Sequence, residues 1–155
     1  MPEIKVGDMA PDFETLNDKN EKVKLSDFRG KRVVLYFYPA DETRGCTVQA
    51  CAFRDAYPEF EEQNAIVLGV SPQGVESHQG FRDHYELPFP LLVDEDKAIC
   101  ELYDVWRLRT RQDGTSSMGV SRSHFVIDEQ GKVIDVQYGV TPENSPVFSL
   151  ATLAG

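Results

Sequence analysis

The chain has 155 residues, of which 41% are hydrophobic and 27% are charged, and its formal net charge is −10. This length and composition are typical of one globular domain with its own core, so we expect a single domain over residues 1–155. The acidic excess repels phosphate backbones and anionic lipid headgroups, which argues against nucleic acid and membrane surfaces as partners.

The N-terminal residues lack the apolar stretch of a signal peptide, and no segment is long and apolar enough to cross a bilayer. We therefore expect a cytoplasmic protein, in a compartment that keeps thiols reduced. Cysteines there are more often catalytic, redox-active or metal-binding than structural. The three cysteines, Cys46, Cys51 and Cys100, cannot all pair within one chain.

The first elements predicted are a hairpin and a buried strand. Residues 13–25 alternate around a polar turn, which predicts the hairpin, and residues 26–30 predict a single helical turn. Residues 31–38 form the best strand of the sequence. This strand is apolar on both faces, so it is predicted to lie centrally with helices on each side. Pro39 ends the strand because proline cannot donate to the ladder.

Helices and strands alternate through the middle of the chain. Apolar residues between 46 and 63 recur at spacings of three and four, which predicts one helix, kinked at Pro58. Strands are then predicted at 65–71 and 91–93, and helices at 75–85 and 97–103. Trp106 is predicted to continue the apolar face of the last helix.

The C-terminal part predicts an antiparallel pair and a short helix. Residues 124–128 and 132–138 flank a turn ending in Gly131, which predicts a hairpin. Ser145 and Pro146 predict the start of the last helix, with proline at its first position.

Three arginines, Arg107, Arg109 and Arg111, make a basic segment in an acidic chain. We expect them to lie on a solvated loop. A docking patch for an acidic reductase is the alternative interpretation.

The order of these elements predicts an α/β fold with a mixed central sheet flanked by helices. Ligand sites in such folds lie beyond the carboxyl ends of the strands. Residues 39–46 occupy that place, directly after the central strand.

Cys46 stands where a helix is predicted to begin, after the turn formed by Thr43, Arg44 and Gly45. A helix start presents unpaired N–H groups and a partial positive charge, which favour the nucleophilic thiolate. The Thr43 hydroxyl can point into the same pocket, where it can accept from an amide and donate to an oxygen. A reactive thiol is therefore favoured over a buried small hydrophobe for Cys46.

Cys51 lies five residues beyond Cys46. On an ideal helix their Cα atoms are ~8–9 Å apart, beyond the ~7 Å at which a disulfide can form without backbone movement. If the two pair, the start of the helix must unwind. The residues alone leave Cys51 open between a core cysteine and a functional one. For Cys100, which has no motif partner, a packed small side chain is favoured.

A metal site is the less favoured interpretation of these cysteines and the histidines. No second closely spaced pair completes a zinc site with Cys46 and Cys51. His78 and His84 lie six residues apart on one predicted helix, so they do not share a face.

The residues around Cys46 match a known pattern: proline, three residues, threonine, two residues, cysteine. It stands here as Pro39, Thr43 and Cys46, and it extends to the segments 36–39, 45–47, 50–51, 53–55, 69–72, 87–92, 103–106 and 122–128. Over about residues 4 to 140 the chain resembles the peroxiredoxins, most closely the peroxiredoxin Q (bacterioferritin comigratory protein) subfamily.

The resemblance implies a thioredoxin fold of the peroxiredoxin type with an N-terminal hairpin, and a peroxidase without cofactor or metal. It implies that Cys46 is the peroxidatic cysteine, which becomes a sulfenic acid, and that Cys51 is the resolving cysteine. Thr43 is implied to orient the peroxide, Pro39 to shield the pocket, and Arg122 to stabilise the thiolate and the departing oxygen. Without the resemblance, Arg122 would be interpreted as a surface arginine at a strand start.

The resemblance also implies a hydroperoxide substrate, recycling by thioredoxin or a similar dithiol reductant, and a monomer. Two other functions are weighed against a peroxidase. One is a general thiol–disulfide oxidoreductase on the same fold, which usually carries two cysteines separated by two residues. The other is a non-catalytic redox-sensing module.

The chain departs from the subfamily pattern in three places. Arg44 replaces a common proline and adds a positive charge beside Cys46. His124 stands where threonine is frequent, and a packed histidine is favoured over a role in the site. Residues 141–155 lack the usual charged amphipathic helix.

Overall fold

The computed structural model of the protein describes residues 3–155. The strands are β1 Glu14–Leu16, β2 Lys22–Lys24, β3 Arg32–Phe37, β4 Ala65–Ser71, β5 Leu91–Val93, β6 Trp106–Thr110, β7 Ser116–Val120, β8 Ser123–Ile127 and β9 Val133–Tyr138. The helices are α1 Arg44–Asp55, α2 Tyr57–Glu62, α3 Val75–Tyr85, α4 Ala98–Leu102 and α5 Asn144–Ala154, with a 3₁₀ turn at Leu25–Phe28. None of these helices is long and apolar enough to span a membrane, over the residues described.

The central sheet has five strands in the order β5-β4-β3-β8-β9. Strand β3 pairs in parallel with β4 and antiparallel with β8, so the sheet is mixed. Because β3 lies in the middle, both of its faces are covered, which its continuous apolar sequence requires. The predicted fold class and the N-terminal hairpin, formed by β1 and β2, are confirmed.

Alternate residues of β3 face two separate cores. Val34 and Tyr36 point into an aromatic core under α1, α2 and α3, to which Cys46 also belongs. Leu35 and Phe37 point into the second core, with α4 and the N-terminal hairpin. The sheet therefore separates the side chains of the two cores.

The predicted helix over 46–63 is corrected to two helices. Helix α1 begins at Arg44, two residues earlier than expected, because extended Thr43 is its N-cap residue. The chain leaves helical geometry at Ala56, and α2 begins at Tyr57. Pro58 lies in the first turn of α2, where its missing N–H leaves no helical hydrogen bond broken. Proline thus starts a new helix instead of kinking a long one.

The predicted basic loop is also wrong, because β6 and β7 pair as an antiparallel hairpin. Trp106 begins β6 and does not belong to the preceding helix. Gly114, with φ of 89°, allows the tight turn between the strands. The Arg107 guanidinium donates to the Asp104 carboxylate at 3.0 Å and lies 4.2 Å from the centre of the Tyr138 ring.

The C-terminal residues form α5, which covers β8 and β9 and contacts α1. Ser145, Ser149 and Leu153 are buried along one side of this helix. Pro146 stands at its third position and not at the first, as the sequence predicted, because the helix begins at Asn144. The tail therefore closes the aromatic core with a helix that lacks the subfamily's usual charged residues, as its sequence indicated.

We expect Gly69→Ala to lower the free energy of unfolding by about 1–3 kcal/mol, as overpacked core residues do. A Cβ atom at Gly69 would lie 2.9 Å from Leu91 Cδ2 and 3.0 Å from the Tyr36 hydroxyl, both in the closed core. Gly80→Ala is the matched control, since nothing lies within 4 Å of its Cβ position on α3. The control should gain about 0.5–1 kcal/mol from helix propensity. Chemical denaturation measures both, and equal stabilities would contradict the packing argument.

Candidate active site

Cys46 lies at the carboxyl end of the central strand, where a ligand site was expected. Strand β3 ends at Phe37, a loop of six residues follows, and Cys46 is the third residue of α1. The thiol is 2% exposed and packs at the edge of the aromatic core. The N–H groups of the first helical turn have no partner within the helix, so they are free to face an anion near the thiol.

Arg122 reaches Cys46 from the position just before β8. One guanidinium nitrogen, Nη2, lies 3.5 Å from Cys46 Sγ. The other, Nη1, donates to the side-chain oxygen of Gln49 at 2.6 Å. A Cβ atom at Gly45 would lie 3.0 Å from Arg122 Nη2, so a glycine there leaves room for the guanidinium. A permanent cation is thus fixed beside the thiol, where it favours the thiolate.

Gln49 is a site residue that the sequence analysis missed. It lies one turn after Cys46 on α1 and is fully buried, although glutamine usually stays at the surface. The spacing of three residues from Cys46 places the two side chains on one helix face. The spacing was the only sign in the sequence that Gln49 belongs to the site. It could not be interpreted until the position of Arg122, the partner of Gln49, was known.

Tyr36 brings a second buried polar group to the same core. Burial first, and then the negative charge of Cys46, raise the pKa of Tyr36 well above its usual range. The phenol is therefore neutral. Its hydroxyl and the Gln49 side-chain nitrogen are buried without a hydrogen-bond partner among residues 3–155.

The loop before α1 places Pro39 and Thr43 close to Cys46 in the chain. The exposed Thr43 hydroxyl donates to the Ala40 carbonyl at 2.9 Å, and no hydrogen bond joins it to the thiol in the described structure. Pro39 is half-buried, and its carbonyl accepts from Ser71 Oγ at 3.3 Å. The structure therefore brings Arg122 into contact with Cys46, whereas Thr43 is bonded within its own turn.

Cys51 lies on the same continuous helix as Cys46 and is half-buried. All three cysteines are free thiols. Because α1 is regular from Arg44 to Asp55, the Cα separation of the two cysteines follows the ideal value of ~8–9 Å. The helix must therefore open for the two sulfurs to meet.

Cys100 lies in the other core, across the sheet from Cys46. Burial raises the pKa of the Cys100 thiol far above its usual range, and the hydrogen bond with Asp94 raises it further. The thiol is thus neutral and enclosed, as expected of a packed side chain.

His124 is also a packed residue. Its ring is fully buried, and Nδ1 lies 2.8 Å from the Ser145 hydroxyl, which joins β8 to α5. Its Nε2 lies 3.8 Å from the Asp135 carboxylate on β9. The interaction with His124 holds the pKa of Asp135 below its usual value. These contacts connect three elements, and none of them involves Cys46.

Comparison with known proteins identifies the family. The model of the AhpC/TSA family matches residues 6–136. Peroxiredoxin Bcp of Bacillus subtilis (strain 168) is 45% identical over 150 residues, which cover 97% of this chain and 95% of that protein.

Solved structures share the whole fold. Peroxidoxin BcpB from Mycobacterium tuberculosis superposes with a TM-score of 0.87 at 35% identity, over 97% of each chain. The bacterioferritin comigratory protein of Xanthomonas campestris, solved in a study of its alkyl peroxide reduction activity, gives a TM-score of 0.85 at 31% identity, over 92% of this chain and 90% of that one. Since both the family model and these relatives match most of its length, the chain belongs to the AhpC/TSA family and, within it, to the peroxiredoxins of the Bcp or Q type.

Proposed function

We propose that this peroxiredoxin reduces hydrogen peroxide and organic hydroperoxides at Cys46, resolves the product with Cys51 and is recycled by thioredoxin. As a member of its family it is a thiol peroxidase that uses a hydroperoxide and a thiol reductant. The assignment of the steps to residues is the proposal. The observation that carries it is the Arg122 guanidinium 3.5 Å from a thiol in the first turn of a helix.

The first step is a displacement at the O–O bond. The Cys46 thiolate attacks the terminal oxygen of the hydroperoxide, an S–O bond forms and the O–O bond breaks. The sulfur is oxidised to a sulfenic acid, and the leaving oxygen takes up a proton to become water or an alcohol. Arg122 and the amides at the start of α1 stabilise the charge that develops on this oxygen.

The loop residues have supporting roles in this step. The Thr43 hydroxyl donates its hydrogen bond to the Ala40 carbonyl, so its oxygen remains free to accept a hydrogen bond from the O–H of a hydroperoxide. This is the role we propose for Thr43 as the group that orients the substrate. For Pro39, which is half-buried, we propose the role of shielding the thiol from water.

The second step joins Cys46 and Cys51. The Cys51 sulfur attacks the sulfenic sulfur, the S–O bond breaks, and water leaves with the remaining proton. The separation of the two residues on α1 requires the first turns of the helix to unwind. Thr43 and Arg44 are exposed, so fraying can begin there, and Cys46 must then leave the edge of the aromatic core.

The third step restores both thiols. A thiolate of the reductant attacks the disulfide, a mixed disulfide forms, and the second thiol of the reductant displaces it, which oxidises the reductant and reduces this protein. We propose thioredoxin as this reductant, a monomer of one domain over residues 1–155 as the active unit, and the cytoplasm as its location. The likeness to Bcp-type peroxiredoxins supports the first two proposals, and a cycle that needs reduced thiols suits the compartment named in the last.

The direct test is to treat the reduced protein with one equivalent of hydrogen peroxide and to map its disulfide by non-reducing peptide mass spectrometry. We expect one bridge within a single chain, between Cys46 and Cys51. Addition of thioredoxin, its reductase and NADPH should then give continuous peroxide consumption. A bridge between two chains, a bridge to Cys100, or no turnover with thioredoxin would each contradict a named part of the proposal.

We expect Arg122→Ala to lower the second-order rate constant for oxidation of Cys46 by about 10²–10³-fold, the usual effect of removing one charge-stabilising donor. Rapid-quench mass spectrometry of the sulfenic acid gives this constant directly. Arg44→Ala is the matched control, because Arg44 is an exposed cation in the same turn. Its charge is screened by solvent, so the control should stay within about threefold of the wild type. Equal rates in the two variants would remove Arg122 from the site.

A further inference from the structure

A buried carboxylate lies in the loop that connects β3 to Cys46. Asp41 Oδ1 accepts from the Tyr38 hydroxyl at 2.5 Å. Its Oδ2 accepts from the Ser77 hydroxyl at 2.7 Å and from His78 Nδ1 at 2.6 Å. The side chains of Asp41 and His78 are 1% and 0% exposed, so this pair is closed to solvent, with exposed Ser77 at its edge. None of these residues has a role in the chemistry described above.

Every polar atom of the pair has a partner. His78 Nε2 donates to the Leu92 carbonyl of β5 at 2.9 Å, while Nδ1 faces the Asp41 carboxylate. Both ring nitrogens are thus held by oxygen atoms of other elements. Burial first, and then the charge of Asp41, raise the pKa of Tyr38 well above its usual range, so Tyr38 keeps its proton and donates. A fully satisfied buried polar network specifies one geometry.

The cluster fixes the active-site loop to rigid elements. Ser77 and His78 belong to the first turn of α3, and Leu92 belongs to β5. The side-chain oxygen of Gln73, just before α3, accepts from the main-chain N–H of Asp41. Asp41 itself stands only two residues before Thr43, the N-cap residue of α1. A substitution of His78 is therefore expected to shift the start of α1 through the loop that contains Asp41.

The two chemical steps make opposite demands on this loop. Oxidation of Cys46 requires the loop and the first turn of α1 to hold their positions, since a shift of about 1 Å in a reacting group can cost 10²-fold in rate. Disulfide formation requires the same turn to leave its position. An anchor on the loop therefore assists the first step and opposes the second.

We propose that Asp41 and His78 form a positioning pair that holds the loop from Pro39 to Thr43 for oxidation of Cys46 and delays its release for pairing with Cys51. This proposal rests on the proposed function of the two cysteines. Neither residue of the pair touches the substrate. They act through the loop, by fixing where the helix start and its amides stand.

The test is His78→Gln, studied in single-turnover experiments that separate the two steps. We expect oxidation of Cys46 by hydrogen peroxide to slow about 10–100-fold, by analogy with the loss of a hydrogen bond that orients a metal ligand. We expect disulfide formation from the sulfenic acid to proceed at least as fast as in the wild type. Unfolding would also slow oxidation while freeing the two sulfurs to pair, so circular dichroism and thermal denaturation must first show that the variant keeps the native fold. In the folded variant, slower oxidation without slower disulfide formation marks positioning.

His84→Gln is the matched control. His84 lies on the same helix and contacts Glu42 of the same loop at 3.0 Å, but the two side chains are 60% and 48% exposed. Such a solvated pair contributes little, so both steps should stay within about threefold of the wild type.

Tyr38→Phe keeps the proposal testable if His78→Gln does not fold. It retains the buried ring and removes only the hydroxyl bonded to Asp41. We expect about 3–10-fold slower oxidation, in line with the loss of one strong hydrogen bond, without slower disulfide formation.

Wild-type oxidation rates in the folded variants would overturn the proposal, and so would an equal slowing of both steps. Failure of the proposed function would be visible earlier and separately. In that case the wild-type protein itself would not form a sulfenic acid at Cys46 or a bridge to Cys51.

Discussion

Cys46→Ser is expected to abolish hydroperoxide reduction, with a loss of at least about 10⁴-fold in the catalysed rate, as for the removal of a nucleophile that forms a covalent intermediate. The serine hydroxyl is not ionised beside Arg122 at neutral pH, and its oxygen cannot be oxidised as a sulfur can. The fold should be retained, because serine fits the space of the thiol. Thioredoxin-coupled peroxide consumption and mass spectrometry of the treated protein measure the effect.

Cys100→Ala is the matched control for this loss. Cys100 is fully buried in the opposite core, and its neutral thiol lies next to Asp94. We expect full peroxidase activity from this variant, with a stability decrease of about 1 kcal/mol for the lost sulfur. If the peroxide response remained in Cys46→Ser and were lost in Cys100→Ala, Cys100 and not Cys46 would be the peroxidatic cysteine.

The sequence predicted the central sheet well because its strands are marked by burial. Residues 33–38 and 65–70 are continuous apolar runs, which only a strand covered on both faces explains at that length. The hairpin of β6 and β7 was missed for the opposite reason. Its cross-strand neighbours Leu108 and Met118 are 66% and 49% exposed, so most of the hairpin has no buried face that would leave a pattern in the sequence. The hairpin is stabilised by pairs of residues across its two strands, and such pairs cannot be predicted from the sequence of one strand.

The candidate site was predictable in its local part. Cys46 could be found from a strand, a proline and a helix start, since those lie within 15 residues of one another. Arg122 could not, because 76 residues separate it from Cys46, and only the family resemblance indicated it. The same holds for Asp41 and His78, which are 37 residues apart and meet only through the packing of α3 against the loop. Site residues that are close in the chain can be predicted from their spacing, whereas contacts between distant residues depend on the fold.

Cys51→Ser is expected to separate the first step of the cycle from the rest. Oxidation of Cys46 should stay within about threefold of the wild-type rate, because Cys51 lies outside the thiol–guanidinium contact and serine is a close isostere. Turnover with thioredoxin should stop, since the sulfenic acid has no thiol within the helix to displace its oxygen. The sulfenic acid should accumulate after one equivalent of peroxide and convert to sulfinic acid in excess.

Dimedone labelling and intact-protein mass spectrometry distinguish these oxidised forms, and NADPH consumption reports turnover. Normal cycling of Cys51→Ser with thioredoxin would mean that another thiol resolves the sulfenic acid.

The double variant Cys51→Ser/Cys100→Ala then identifies that thiol. Loss of cycling in the double variant would assign resolution to Cys100, which would have to leave its buried core and pass the sheet. Continued cycling would assign it to the reductant itself, because no thiol other than Cys46 would remain in the chain. Resolution by Cys51 is more favourable than resolution by Cys100, because it requires only the first turns of α1 to open.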